Sequence, residues 1–236
     1  MKTLKIVAII GVLSLWANLQ SMAVTDLILY EGLPDLAGGT PGMDVTYDAG
    51  SDTFLASGYT FDYNISDGHG GATDIGVSVP DTYILSATIN HSGVLTGGTL
   101  AINGAVGDGD TSVTLLTGNL VTGAAGTAFG YGDNDNDQFQ FLFTVNGGTL
   151  ESAFGGNGAA GGIILDSFFH GNPGTTPFTG SWTSDFNNIG DAGPGGGNGL
   201  INSFSMVPEP SSILLVLVGS ILFAGGYRSR RNALRV

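Results

Sequence analysis

The chain has 236 residues, with 41 Gly, 8 Pro, 42% hydrophobic residues and no Cys. The missing Cys excludes a disulfide scaffold, a thiolate metal centre, an iron–sulfur cluster and a Cys nucleophile. Net charge is −14, yet all six Lys and Arg lie at the two ends, so Val24–Val207 carries 19 acids and no Lys or Arg; this excludes nucleic-acid binding by phosphate neutralisation and any internal Lys or Arg ion pair.

Met1–Ala23 has the plan of a secretory signal peptide. Lys2 and Lys5 form its positive start, Ile6–Leu15 its apolar centre, and Ser21-Met22-Ala23 its small-x-small end. Cleavage by signal peptidase is expected after Ala23. The alternative is an uncleaved N-terminal anchor, which the short apolar centre and the cleavage signal disfavour.

Residues 24–206 read as one exported all-β domain, an antiparallel sandwich or jelly roll. Gly plus Pro is about a fifth of the chain, below the level of low-complexity disorder. Period-2 alternation marks the strands. Tyr59, Phe61, Tyr63 and Ile65 are expected on one face, as are Tyr83, Leu85, Ala87 and Ile89. Leu100 with Ile102, Val113–Thr117, the set Phe139, Phe141, Phe143 and Val145, and Ile163–Leu165 continue the pattern. Phe178, Gly180 and Trp182 form a further candidate, and Leu200, Asn202, Phe204 and Met206 a last one. Turns are expected at Asp67-Gly68, Gly97-Gly98, Asn103-Gly104, Asp108-Gly109, Asn146-Gly147 and Asn157-Gly158. Gly190–Gly199 reads as a glycine-rich loop.

Candidate chemistry in this domain is sparse. Asp133, Asp135 and Asp137 alternate with Asn134 and Asn136. Carboxylates so spaced repel one another unless a cation or water screens them, and calcium takes 6–8 such oxygens. The segment begins like an EF-hand loop, but Gln138 stands where Gly is needed and Thr144 where Glu is needed. Two readings stand: an extended calcium site, with Asp108 and Asp110 as further ligands, or a solvated hairpin loop. Calcium is the one cofactor suggested. Gly156–Gly161 matches G-x-G-x-x-G without the strand and helix that a dinucleotide site requires. His69, His91 and His170 share no metal-ligand spacing, and no G-x-S-x-G elbow supports a catalytic Ser. No catalytic residue is assigned. Trp182 has two readings, a ring exposed for sugar stacking or a core side chain.

Residues 207–236 fall into three parts. Val207-Pro208-Glu209-Pro210 is held extended by its prolines. Residues 211–227, with the apolar run Ile213–Tyr227, read as a membrane helix, and Arg228, Arg230 and Arg231 as a cytoplasmic stop. Fifteen residues rise only ~22 Å against a hydrocarbon core of ~30 Å. With Lys2 and Lys5 also inside, the middle of the chain lies outside.

These residues, Pro208-Glu209-Pro210, the short span and the cluster Arg228-Ser229-Arg230-Arg231, resemble the PEP-CTERM sorting signal of Gram-negative envelope proteins. The resemblance covers about 30 residues in the required order at the C-terminus. It implies processing by exosortase, a membrane-embedded transpeptidase, and transfer to the cell surface or exopolysaccharide matrix. The expected role is therefore structural or interactive and non-catalytic. A carbohydrate-binding module is the alternative, and a secreted hydrolase a third reading.

Overall fold

The structure, a computed structural model, describes residues 29, 31–39, 42–68, 71–107, 111–123, 129–133, 136–168, 173–190 and 197–206, with the side chains of 129–133, 136 and 198 left aside. The signal segment with Ala23, the Pro208-Glu209-Pro210 motif, the span, the arginines, His69, His170, Asp108, Asp110 and Asp135 lie outside the described residues. One compact unit extends through Ser205, and a second begins at Met206.

Every regular element among the described residues is a strand. In chain order they are β1 (Asp35–Gly38), β2 (Asp44–Asp48), β3 (Thr53–Ser66), β4 (Ala72–Asp74), β5 (Val77–Ile89) and β6 (Leu95–Val106). They continue with β7 (Val113–Leu120), β8 (Phe129–Asp133), β9 (Asn136–Gly147), β10 (Ala160–Phe168), β11 (Phe186–Asn187) and β12 (Asn198–Ser205). All pairings are antiparallel.

The all-β antiparallel expectation holds, but the sheet does not split into two open layers. Neighbours run β1-β12-β10-β9-β7-β6-β5-β3, and β3 pairs back onto β1, closing an eight-stranded barrel. Closure follows from the length of β3. Its first half, Thr53–Ser57, is edged by β2, and its second half, Thr60–Asn64, by β1. A strand that long outruns one partner, and the sheet's twist carries its far half around to the last strand. Closure also removes the two free edges that a single open sheet in this order would carry.

The barrel interior is the main core. Tyr83, Leu85, Ala87 and Ile89 face inward, as do Leu100, Ile102, Phe139, Phe141, Phe143, Val145, Ile163 and Leu165. These positions match the sequence pattern. Other positions do not. Tyr59 is exposed and Thr60 is buried, because a bulge between Ala37↔Asp62 and Gly38↔Thr60 inserts one residue and exchanges the faces of β3. In β12 it is Ile201 and Ser203 that are fully buried inside, while Leu200 and Met206 are exposed. Phe204 packs on the outer side with Leu29, Ile164 and Leu142. The segment before β1 covers that outer face at Phe204, so both faces of β12 are shielded there, though not at Leu200, and alternation loses its meaning.

Phe178–Trp182 forms no strand, and Gly97-Gly98 and Asn103-Gly104 form no turns. Both glycine pairs lie inside β6. A Cβ at Gly98 would sit 2.6 Å from the Leu120 side chain and from the Ser86 carbonyl, so close packing explains that residue. The turn between β5 and β6 falls instead at Asn90–Gly93, where the Asn90 side chain accepts from the Ser92 and Val94 amides. The glycine-rich loop also ends earlier than expected, since β12 begins at Asn198.

Gly148 combines φ of +107° with a backbone wall: a Cβ there would collide with the Leu115 carbonyl. Gly148→Ala is therefore expected to cost about 3 kcal/mol, from backbone strain and overpacking together. Gly156 has φ of +88° but open space around it, so Gly156→Ala should cost only about 1 kcal/mol. Urea titration of the two variants checks the difference.

Candidate functional site

One end of the barrel is plugged by residues 173–190. Phe178, Trp182 and Phe186 enter the core and meet Tyr47, Phe54 and Phe139. Phe186 stacks on Phe139 at 5.5 Å with the rings nearly parallel. Trp182 meets five other rings at centroid distances of 5.0–6.2 Å. With only 7% of its surface exposed, it takes the core reading and presents no ring face for a sugar. A plug of this kind has little regular secondary structure, so its alternation mimicked a strand.

Buried polar side chains fasten the plug. Asp137 Oδ2 accepts from the Phe178 amide at 3.0 Å. Asn188 imitates a neighbouring strand along β2: Val45 N donates to its Oδ1 at 2.7 Å, and its Nδ2 donates to the Met43 carbonyl at 2.9 Å. Asp44 Oδ1 accepts from the Gly197 amide at 2.8 Å. The Tyr47 hydroxyl lies 2.8 Å from the Ile89 carbonyl and 3.0 Å from that of Trp182. Its one proton is shared between the end of β5 and the plug.

The three candidate calcium ligands are therefore distributed as follows. Asp137 is buried in β9, opposite Gly132, and anchors the plug. Asp133 ends β8, opposite Asn136. Asp135 lies outside the described residues. Among the described residues no group of three or more His, Asp or Glu is arranged to hold a metal ion. His91 is exposed, with Nε2 2.9 Å from the Ala49 carbonyl and 3.5 Å from Asp52 Oδ1. The glycines 156–161 lead into β10 rather than a helix, which removes the context a dinucleotide fingerprint needs.

The opposite end of the barrel gathers carboxylates. Asn64 of β3 is flanked on one rung by Asp35 of β1 and Asp74 of β4. Burial raises the Asp62 carboxyl above the usual range, the adjacent Asp74 carboxyl raises it further, and a hydrogen bond from Asn64 offsets part of this. Burial likewise raises Asp35, with Glu31 and Asp62 adding repulsion and Asn64 again opposing.

Between the two ends, the outer face of β3, β5, β6 and β7 has a different chemistry. Its outward positions run Thr53, Leu55, Ser57 and Tyr59 on β3, paired with Thr88, Ser86, Ile84 and Thr82 on β5. Thr99 and Ala101 follow on β6, then Asn119 and Thr117 on β7. None of these positions carries a charge, although the domain's only ionisable excess is acidic. Sequence reasoning missed this face because the bulge in β3 assigns Tyr59 to the wrong side.

No family model matches the chain, and no curated protein or solved structure shows significant similarity to it.

Two outcomes follow for the titrating groups. Burial, with Asp52, Asp185 and Asp48 nearby, pushes Tyr47 up to about 12. A raised tyrosine stabilises the fold while protonated in both states. That contribution is complete below about pH 10 and is lost as pH rises towards about 12. Tyr47→Phe should cost about 1–2 kcal/mol at pH 7 and flatten the alkaline loss of stability above pH 10 in denaturant titrations. For the raised Asp62 the contribution is present below its unfolded value near 3.8 and lost as pH rises through its folded value. Asp62→Asn should therefore raise Tm at pH 7, and calorimetry at pH 3 should show the gain gone.

Proposed function

We propose that this chain is an exported protein, processed at its tail by exosortase and displayed at the cell surface or in the extracellular matrix. Its role there is structural or interactive and non-catalytic. The observation that carries the reading is the order of the C-terminal parts: Pro208-Glu209-Pro210, an apolar run of 15 residues, then Arg228, Arg230 and Arg231. A span that short is poorly matched to a permanent stay in a bilayer. The extended proline segment before it suits the cleft of a peptide-cutting enzyme.

The boundary of the barrel supports the same division. Among the described residues the last paired one is Ser205, and Pro208 follows two residues after Met206. Removing everything beyond the Pro-Glu-Pro would take away no residue of the ladders among the described residues. The acidic surface keeps such a domain soluble and apart from other anions at low salt. Association with an acidic polysaccharide would then need a bridging divalent cation, for which calcium is the suitable ion.

Mass spectrometry of the protein purified from its native cell tests this reading. The expected species starts at Val24 and ends within or just after Pro208-Glu209-Pro210, with or without an added mass there. Protein recovered from the inner membrane with Arg228–Val236 still attached would overturn it.

A further inference from the structure

We infer that the uncharged outer face of β3, β5, β6 and β7, centred on Tyr59, binds a neutral polysaccharide. Tyr59 is 48% exposed, and Leu55 and Ile84 beside it are each 37% exposed. The three lie on adjacent rungs: Leu55 opposite Ser86, Ser57 opposite Ile84, and Tyr59 opposite Thr82. Around this apolar patch the face offers hydroxyl and amide groups, including Asn103, whose Nδ2 donates to Thr82 Oγ1 at 2.8 Å. A pyranose has the matching construction, an apolar C–H face that packs on an aromatic ring and a rim of hydroxyls that exchange hydrogen bonds with Ser, Thr and Asn.

Charge selects this occupant over the others. The segment Val24–Val207 carries 19 acids; Asp48 and Asp52 lie beyond one end of this face and Asp62 and Asp74 beyond the other, while Asp81, beside Thr82 in β5, accepts from the Thr82 amide and the Ser112 hydroxyl. A polyanion approaching the face meets that field on every side and gains no cation. A neutral polymer is unaffected by it and meets outward positions that carry no charge needing desolvation. A second copy of the chain is a poorer fit. Stable homodimer interfaces bury about 800 Å² per partner and are enriched in apolar groups at their centre, whereas this face offers three half-exposed apolar side chains among hydroxyls. The inference depends on the export reading only for where the polymer is met; binding in the test tube does not require it.

The test is affinity electrophoresis and titration calorimetry of the full chain, solubilised in a zwitterionic detergent. Soluble β-1,3-glucan, β-1,4-glucan, α-1,6-glucan and galactomannan are compared with alginate. Retardation by at least one neutral polymer is expected, insensitive to salt between 0.05 and 0.5 M in NaCl, as contacts between uncharged groups are. Tyr59→Ala should weaken it about tenfold. Thr99→Asp, which adds a charge to an exposed position of the same face, should do the same without lowering Tm. Failure to bind all four neutral polymers overturns the inference, as does binding unchanged in both variants. Retardation by alginate alone, dependent on calcium, also overturns it and leaves the export reading standing. A concentration-dependent dimer abolished by Thr99→Asp would assign the face to a second copy and overturn it too.

Discussion

The fold depends on four residues, Asp35–Gly38, being paired on both sides. β1 takes β12 on one edge and the far half of β3 on the other. Without it, β3 and β12 would be exposed edges of an open sheet, and the inward-facing Tyr83, Ile201 and Leu36 would share their cavity with water. The geometry around it is tight. A Cβ on Gly38 would meet the Tyr83 ring at 2.7 Å, so the closing strand approaches the barrel wall as nearly as backbone allows. Inside the junction, Tyr83 and Ser203 hydrogen-bond to each other, and burial raises the phenol well above its ordinary value. A neutral, satisfied hydroxyl pair is thus built into the seam.

Closure matters more here than in most barrels because no cation is available. With no Lys or Arg between Val24 and Val207, attraction between side chains must come from packing and hydrogen bonds rather than from Lys or Arg ion pairs. The consequences are visible at both ends. At one, six aromatic rings and the side chains of Asp137 and Asn188 fasten a plug of little regular structure. At the other, Asp35 and Asp62 lie at the rim beside Asp74, and Asn64 relieves the two of them. The flank between the two ends is left neutral. The same charge economy that shapes the interior therefore leaves a surface suited to an uncharged partner.

The sequence was most legible where one strand face meets the interior and the other meets water. Tyr83–Ile89 satisfies that condition, and its inward residues follow the pattern; Phe139, Phe141, Phe143 and Val145 follow it too, although Gln140 and Leu142 on the other face are covered. It was least legible where a second layer intervenes. Phe204 faces outward yet is covered by the segment around Leu29, and Phe178 and Trp182 are buried by tertiary packing that no local period encodes. β1 and β2 are too short to show a period, and the single-residue bulge in β3 is silent in sequence yet decides whether Tyr59 is core or surface. Glycine misled for a related reason. Gly98 and Gly104 sit in a strand because neighbours crowd them, and sequence alone cannot tell crowding from turning. The proposed sorting signal, by contrast, is read from order and composition alone and owes nothing to the barrel.

The closed barrel is the central claim, and amide hydrogen exchange tests it most directly. In a closed barrel, Leu36 and Ala37 belong to an interior strand, and their amides should exchange only through the same global opening that releases Phe141 and Leu85. Exchange of the Leu36 and Ala37 amides orders of magnitude faster than those core positions, at rates typical of a fraying edge, would show that β1 does not close the sheet and would contradict the account.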